Sequence, residues 1–358
     1  MTSPLAIYRI QFRPSFGFVD AARLVPYLHG LGISHLYASP VFQARACSEH
    51  GYDITDPNSL NRQLGTEAEF RELVGMLHAH GMGLILDIVP NHQAASTQNP
   101  AWRSVLEHGP ASPFAAWFDI DWGADPDGKL RLPVLGAPVD EILERDELRL
   151  DIDEGSGPHL RYFDTRYPLS SASWALLLEA PAGASRPALV AAMVAGLREA
   201  TPEAALRVES DLVRAYRDDE HVRAYIDVAL DHFAPGTTGA RARLRDLLAL
   251  QHYRLLYWRT GVETINYRRF FDISDLAGVR QEDPRVFDET HQLLRQWVEE
   301  GLVAGVRVDH IDGLRDPAGY IERLRGLWPP GVSPYIVVEK ILGADESLPG
   351  WPVAGTTG

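Results

Sequence analysis

Charged side chains cluster at the end of one short apolar run, at Arg307, Asp309 and His310. The run itself, residues 303–308, is rich in valine and follows Gly301, which predicts a buried strand. A carboxylate flanked by cations contributes little to the packing of a strand. In enzymes built on parallel strands it has a function, because the carboxyl ends form the reaction face. A structural Asp–Arg pair at a strand end is the alternative, which this stretch alone leaves open.

Two further apolar runs end in a similar way. One carries Asp87 and leads into His92, and the other leads into Glu339 and Lys340. If neighbouring strands carry them, these side chains meet the 307–310 cluster at one edge of a parallel sheet. For Glu339 and Lys340 the alternative is a surface ion pair where a strand leaves the core. The repeated layout, an apolar run followed by an acid, favours a shared site.

Asp309 and Glu339 are then candidates for a pair of catalytic carboxylates. Two carboxyl groups about 5–5.5 Å apart are what a retaining glycosidase needs. One attacks the anomeric carbon, while the other is kept protonated by its surroundings and protonates the leaving oxygen. Arg307 lies two residues before Asp309 and therefore on the same face of the strand, where it can hold that carboxylate ionised and oriented.

Other chemistries lack their motifs. The sequence contains no G-x-x-x-x-G-K-[ST] phosphate loop and no G-x-S-x-G nucleophile elbow. His310 and Asp312 could in principle join His92 around a metal ion, but a zinc-type spacing is missing. Cys47 is the only cysteine, so the chain has neither an internal disulfide nor a cysteine cluster. We therefore expect no cofactor and no metal.

The elements that position these residues alternate between strand and helix patterns, which predicts a parallel sheet with right-handed crossovers. Asp20 is predicted to cap the first helix. Thr66 and Glu69 have the form of a capping box for the second. Asp283 is predicted to open one continuous helix that ends at Gly301. The predicted strands cover residues 5–12, 33–41, 84–89, 303–308 and 335–338.

A stretch of about 170 residues interrupts this alternation, and no loop of that length lacks structure of its own. Its first part is rich in Trp, Asp, Pro and Gly, and predicts irregular structure with short strands. Its second part, from about residue 187 to residue 259, is rich in Ala, Leu and Arg and predicts helices. We expect three segments: residues 1–92 begin a catalytic barrel, residues 93–263 are an insertion, and residues 264–358 continue the barrel.

The predicted fold class is α/β, of the (β/α)8 TIM-barrel type. Only about five to six strands are present, whereas a closed barrel needs eight. A large, mostly helical insertion follows the third strand. An open sheet of this kind has two unpaired edges, which natural folds avoid.

The composition limits the possible partners. Asp and Glu number 49 and Lys and Arg 34, which gives a formal net charge of −15. This balance argues against nucleic acid and anionic membranes as partners, and favours a neutral or cationic ligand. We see no secretory signal and no apolar run of membrane-spanning length. A cytoplasmic enzyme is the expectation.

The three strand ends resemble the signatures of the α-amylase superfamily. Residues 87–92 (DIVPNH) look like its first signature, residues 305–310 (GVRVDH) like the second and residues 338–340 (VEK) like the third. Within that superfamily, other stretches resemble the maltooligosyl trehalose synthase family. They are residues 50–53, 118–122, 132–136, 161–164, 265–272 (INYRRFFD), 276–280 and 282–284.

This resemblance implies a reaction and a set of roles. Such enzymes rearrange the reducing-end α-1,4 linkage of a maltooligosaccharide into an α,α-1,1 linkage by double displacement. Asp309 would be the nucleophile, Glu339 the acid/base and Arg307 a third catalytic-site residue. The resemblance also implies a substrate-binding set, in which Tyr52 stacks on the first sugar ring and Asp87 braces the network. Its members are Tyr52, Asp53, Asp87, His92, His310, Lys340 and Arg269.

The chain departs from the superfamily in one respect. A fourth signature, a His-Asp pair that supplies a third carboxylate, is missing, and the only aspartate after Glu339 is Asp345. The chain therefore looks like the N-terminal part of such a protein, ending near a sixth strand. We expect it to be inactive or weakly active alone. Two alternatives stay open: another amylase-type hydrolase or glucanotransferase, and a non-catalytic glucan-binding protein.

Overall fold

In the computed structural model of the chain, residues 3–153, 157–179, 186–199 and 202–357 are described. In chain order the strands are β1 Ile7–Ile10, β2 His35–Ala38, β3 Phe42–Ala44, β4 Ile54–Leu60, β5 Gly83–Ile88, β6 His92–Ala94, β7 Leu130–Leu135, β8 Leu148–Asp153, β9 Gly157–Tyr162, β10 Thr165–Pro168, β11 Tyr253–Tyr257, β12 Arg269–Phe270, β13 Ile273–Gly278, β14 Gly305–Val308, β15 Tyr335–Val338 and β16 Gly355–Thr356. The helices are α1 Phe18–Gly30, α2 Glu67–Ala79, α3 Pro100–His108, α4 Val139–Glu144, α5 Ser171–Glu179, α6 Ala188–Glu199, α7 Pro202–Asp218, α8 Glu220–Asp231, α9 Ala240–Ala249, α10 Trp258–Gly261, α11 Pro284–Thr290, α12 Gln292–Glu299 and α13 Pro317–Arg325.

The chain forms two compact units. One consists of Met1–Asn99, Ala116–Asp119 and Arg268–Gly358, and the other of Pro100–Ala115 and Ile120–Tyr267. The three-segment division predicted from the sequence, with an insertion at residues 93–263, stays a prediction. Within the described residues, none of the helices combines the length and the hydropathy that crossing a bilayer requires.

The first unit is built on a parallel sheet in which strand order follows chain order. The sheet runs β1-β2-β5-β14-β15-β16. A doubly wound sheet would reverse direction at a switch point, whereas this order advances one strand at a time, as a barrel wall does. The fold class predicted from the sequence is thus confirmed. The sixth strand, β16, is only two residues long and pairs with β15.

Side-chain hydrogen bonds explain where several helices of this unit begin or end, and two of the helix predictions from the sequence are wrong. Thr66 and Glu69 form the predicted capping box at the start of α2. Asp20, however, is not the cap of α1. Gly17 occupies that position, and Asp20 lies three residues later and accepts a hydrogen bond from the Gly17 backbone. A Cβ at residue 17 would collide with the Leu64 carbonyl, so no capping side chain fits there.

The predicted continuous helix after Asp283 is the second correction, because it breaks into α11 and α12 at His291. The Thr290 hydroxyl donates to the Val286 carbonyl one turn back, at 2.8 Å. The imidazole of the buried His291 bonds to the Phe287 carbonyl and to the Tyr320 hydroxyl. Side chains that bond to their own helix backbone compete with its ladder, and here they accompany the break.

The second unit combines helices with two small sheets. Strands β8, β9 and β10 form an antiparallel sheet, and β7 and β11 form a parallel pair. The prediction of helices throughout residues 187–259 is wrong at β11. There Tyr253 and Leu255 are buried while Arg254 is exposed, an alternation with the period of a strand.

Replacing Thr66 by Ala should destabilise the first unit by about 1 kcal/mol, because the first turn of α2 loses its side-chain acceptor. Urea unfolding measures the free-energy difference. Thr66→Ser is the matched control: it keeps the hydroxyl that accepts from the Glu69 backbone and should unfold nearly as the parent does. Equal losses in both variants would contradict the capping role.

Candidate active site

One guanidinium lies at the centre of the carboxyl-end cluster. Arg307 on β14 is paired in register with Asp87 on β5. Its Nη1 donates to Asp87 Oδ1 at 2.8 Å and to Asp309 Oδ1 at 2.7 Å. Its Nη2 lies 3.0 Å from Glu339 Oε1, just beyond β15. Three successive strands therefore bring one carboxylate each to the same arginine, as the strand-end pattern predicted.

Asp87 is fully buried and has every oxygen occupied. Arg307 contacts Oδ1, and the hydroxyls of Tyr37 and Tyr52 donate to Oδ2 at 2.8 and 2.7 Å. Burial raises the pKa of the Asp87 carboxyl, and the positive charge of Arg307 opposes that rise. Since the two tyrosine hydroxyls are also fixed by this carboxylate, Asp87 orients the Tyr52 ring.

Asp309 and Glu339 sit in different surroundings. The Asp309 side chain is buried, whereas the Glu339 side chain is 31% exposed. Burial raises the pKa of Asp309, Arg307 lowers it, and the charges of Glu339 and Asp87 raise it further. Glu339 Oε2 also accepts a hydrogen bond from the His310 backbone at 2.9 Å. The sequence predicts that surroundings keep the proton donor of the pair protonated; in this structure the carboxyl whose pKa burial raises is Asp309, the predicted nucleophile.

Two histidines and two phenylalanines lie beside the carboxylates. The His92 ring is buried, and burial lowers its pKa to about 3, so the ring is neutral. The Phe270 ring is 4.4 Å from the His92 ring and 4.7 Å from the His310 ring. Phe271 contacts His310 at 4.8 Å and is 69% exposed. Both Phe271 and His310 have a positive φ, at 48° and 46°.

Three predicted binding residues have other partners. The Lys340 ammonium is held by Asp312 at 3.0 Å and Glu346 at 2.6 Å. Asp53 accepts from the Ser48 hydroxyl and so closes the loop before β4. These side chains shape the surroundings of the Arg307 cluster without bonding to it.

Arg269, the third of them, donates to the Ser274 hydroxyl at 3.1 Å within the β12–β13 hairpin. Its predecessor Arg268 is the residue that reaches the strand ends: it bonds to Asn91 and to the Gly313 carbonyl. Sequence reasoning selected the other arginine of the pair, and no local signal separates the two.

Tyr37 and Arg9 were also missed from the sequence. Tyr37 lies on β2, near its carboxyl end, and that position was an available signal. Arg9 on β1 donates to the Tyr52 hydroxyl at 3.2 Å and lies 5.4 Å from the Tyr37 ring centre. In the part of the chain that the structure describes, no group of three His, Cys, Asp or Glu side chains is arranged to hold a metal ion.

Known proteins resemble the chain over nearly its whole length. The α-amylase catalytic-domain family model matches residues 22–134. A Mycobacterium tuberculosis (strain H37Rv) relative, provisionally named maltooligosyl trehalose synthase, is 38% identical across 99% of this chain and 37% of its own length. Maltooligosyltrehalose synthase from Arthrobacter ramosus has a TM-score of 0.73 at 36% identity, covering 99% of this chain and 37% of that structure. The hypothetical maltooligosyl trehalose synthase of Sulfolobus tokodaii gives 0.70 at 29%, covering 100% and 38%.

The chain therefore spans little more than a third of the length of these relatives. The match to the synthases runs along almost the entire chain, whereas the α-amylase family model covers only its first part.

Replacing Arg307 by Leu should destabilise the protein by about 3–5 kcal/mol near pH 8 and by much less near pH 5. Without the cation, the raised pKa values of Asp87 and Asp309 rise further. A carboxyl with a raised folded-state pKa is a stable neutral group at low pH, and stability falls as the pH climbs from the ordinary carboxyl range towards the folded-state pKa. Urea unfolding at both pH values measures the difference.

Arg307→Lys keeps a positive charge and serves as the control, with a smaller loss that depends less on pH. A loss of the same size at both pH values in Arg307→Leu would mean that the arginine acts by packing alone.

Proposed function

Because this chain is a homologue of the maltooligosyl trehalose synthases of the α-amylase superfamily, we propose that it carries the carboxylate site of a glucosylmutase. The substrate is a maltooligosaccharide, and the reaction converts its reducing-end α-1,4 linkage into an α,α-1,1 linkage. The observation that carries the proposal is the Arg307 guanidinium shared by Asp309 and Glu339 at the ends of adjacent strands. The acidic composition supports a neutral carbohydrate partner rather than nucleic acid. A cytoplasmic location is part of the same proposal.

The first displacement transfers the glucan to the protein. An Asp309 carboxylate oxygen attacks the anomeric carbon of the penultimate glucose, and the bond from that carbon to O4 of the terminal glucose breaks. Glu339 gives its proton to that O4 oxygen, so a neutral glucose leaves. Arg307 favours the ionised form of Asp309 against its burial, which the attack requires.

The second displacement restores the carboxylate. The released glucose turns, and its anomeric hydroxyl attacks the glycosyl carbon on Asp309. Glu339 takes the hydroxyl proton, and the bond to Asp309 breaks. Two inversions give the α,α-1,1 linkage. Water attacking in place of the glucose would give hydrolysis, so the site must retain glucose and exclude water.

The remaining predicted residues divide into two groups. Tyr52, His92 and His310 are proposed to face the first sugar ring, with Asp87 bracing Tyr52. Asp53, Lys340 and Arg269 bond to neighbouring protein groups instead. For these three we propose a supporting role around the substrate site. They are Asp53 in the loop before β4, Lys340 after β15 and Arg269 in the β12–β13 hairpin.

Phe271 is the candidate for retaining glucose. The ring is largely exposed, its backbone is left-handed, and it lies against His310, whose backbone binds Glu339. A left-handed conformation costs about 1–2 kcal/mol in a non-glycine residue. An exposed aromatic ring gains little burial in return. A sugar face stacked on the ring would account for both features.

The chain alone is proposed to be inactive or weakly active. After Glu339 the described residues contain no His-Asp pair, and Glu346 is bound to Lys340. Among the described residues β1 is an edge strand that pairs with β2, and Leu5, Ile7 and Tyr8 are exposed there. A third carboxylate would strengthen transition-state binding, and further strands would cover that edge.

The test follows reducing ends and free glucose during incubation with maltopentaose. It compares the chain alone with the chain joined to the part of the Mycobacterium tuberculosis relative that it does not match. The joined protein should consume reducing ends with little glucose released, and Asp309→Asn should abolish this. Glucose release or chain lengthening without loss of reducing ends would favour an amylase-type hydrolase or transferase. Maltopentaose binding with no turnover in any form would favour a glucan-binding protein.

Phe271→Ala should shift the active protein from rearrangement towards hydrolysis. Loss of about 1 kcal/mol of aromatic contact raises the ratio of glucose released to linkage rearranged about fivefold. Phe163 is the matched control, since it is also an exposed phenylalanine with a positive φ, 49°, and lies in the β9–β10 turn. Phe163→Ala should leave the ratio unchanged. An unchanged ratio in Phe271→Ala would remove it from the glucose site.

A further inference from the structure

We propose that Arg268 is a positioning residue: through Asn91 it fixes the proton of the neutral His92 ring on Nε2, so that His92 offers an N–H donor to a ligand oxygen. The identification of that oxygen as a sugar hydroxyl rests on the proposed function. The position of the proton on the ring is independent of the proposed function.

Arg268 ties four separate oxygens to one guanidinium. Its Nη1 donates to Asn91 Oδ1 at 2.6 Å and to the Gly313 carbonyl at 3.0 Å. Nη2 donates to the Val279 carbonyl at 2.8 Å, and Nε to Asp119 Oδ2 at 3.1 Å. The guanidinium thus joins the loop that follows β5, the loop that follows β14 and the segment after β13.

The guanidinium decides how the Asn91 amide is oriented. Arginine has only donors, so the atom that faces it must be the amide oxygen. The amide nitrogen then points the other way, 3.3 Å from His92 Nδ1. Close packing keeps the amide there, because a Cβ on Gly313 would collide with both the Asn91 side chain and the His310 ring. Asn91 itself is buried.

The Asn91 amide in turn decides the tautomer of His92. An N–H donor faces Nδ1, so that nitrogen accepts, and the single proton of the neutral ring lies on Nε2. His92 Nε2 is buried and makes no hydrogen bond of normal geometry within the described residues. The Tyr52 carbonyl lies close enough to favour an N–H on the ring, without forming such a bond.

An unsatisfied buried donor is costly in a folded protein, so the N–H at His92 Nε2 indicates a place where a ligand oxygen can accept a hydrogen bond. Leaving an N–H without an acceptor costs on the order of 1–3 kcal/mol. The Phe270 ring, 4.4 Å away, packs against the imidazole without offering a normal acceptor. A ligand hydroxyl beside Arg307 and Tyr52 would supply one. Arg268 therefore determines which of the two His92 ring nitrogens carries the proton and can donate a hydrogen bond.

If Arg268 had only a structural role, it would join the same loops without determining the tautomer of His92. Nitrogen-15 NMR of the histidine rings distinguishes the two roles. The parent chain should show His92 as a neutral ring with Nε2 protonated, the signal being assigned by its absence in His92→Gln. Arg268→Ala should give a mixture of both tautomers. Asn91→Asp should move the proton to Nδ1, because the new carboxylate accepts from that nitrogen as well as from Arg268.

Arg23→Ala, which removes an exposed arginine of α1, is the charge-matched control and should leave the His92 signals unchanged. Nδ1 protonated in the parent would overturn the proposal, as would an unchanged tautomer in a folded Arg268→Ala. If Arg268→Ala does not fold, Asn91→Asp decides, because it keeps the arginine contact.

Titration of the labelled parent with maltopentaose separates this proposal from the proposed function. A shift of the His92 Nε2–H signal on binding supports both. An Nε2–H tautomer with no response to maltopentaose keeps the Arg268 role and counts against a glucan ligand. A response to maltopentaose from a ring protonated on Nδ1 does the opposite.

Discussion

Three buried or partly buried acids share one arginine, so three carboxyl groups compete for a single positive charge. The rest of the site depends on this imbalance of charge. Arg307 contacts Asp87, Asp309 and Glu339. A carboxylate moved out of water without a partner costs several kcal/mol, so the two buried acids, Asp87 and Asp309, are not stable as anions without the guanidinium. One positive charge does not neutralise three negative ones. Burial and the neighbouring acids therefore keep the pKa of Asp309 raised even beside the arginine.

The register of the parallel sheet creates this arrangement. Arg307 is opposite Asp87 on one side and Val337 on the other, so the chain leaves β14 and β15 at nearly the same level. Asp309 and Glu339 follow within two residues of those pairs. A slip of one residue would turn the Arg307 side chain to the opposite face of the sheet and separate it from the carboxylates of Asp87 and Glu339. The register of the sheet thereby determines which charged groups meet at the carboxyl ends of its strands.

A second arginine completes the site by a different physical principle. Arg307 favours the ionised forms of Asp87 and Asp309 through its charge, whereas Arg268 is proposed to orient the neutral Asn91 amide and His92 ring through the direction of its donors. It arrives from the segment that leads into β12, while β13 pairs with β6 and brings Gly278 opposite His92. The loop after β5 is thus held both by sheet pairing and by the guanidinium, and the loop after β14 is held by the guanidinium through the Gly313 carbonyl. The proposed sugar contacts are mounted on these loops.

The sequence by itself determined the features that arise from short-range patterns. Short apolar runs predicted five strands of the barrel sheet, and Thr66 and Glu69 predicted the start of a helix. The acids at the strand ends identified Asp309 and Glu339 as a candidate pair of catalytic carboxylates. Those signals lie within a few residues, and so do the superfamily signatures. The spacing of Arg307 and Asp309 even predicted their shared face, because side chains in a strand alternate with period two.

Only the tertiary structure decided the features that depend on partners far along the chain. It placed the Arg268 side chain against Asn91 and the Arg269 side chain against Ser274. It also brought the Tyr37 hydroxyl to Asp87 and the Lys340 ammonium to Asp312 and Glu346. It also made a strand of residues 253–257, because β7 lies beside them, about 120 residues earlier in the chain. Each outcome depends on which distant group lies within hydrogen-bonding distance, and that is set by packing and register rather than by residue type.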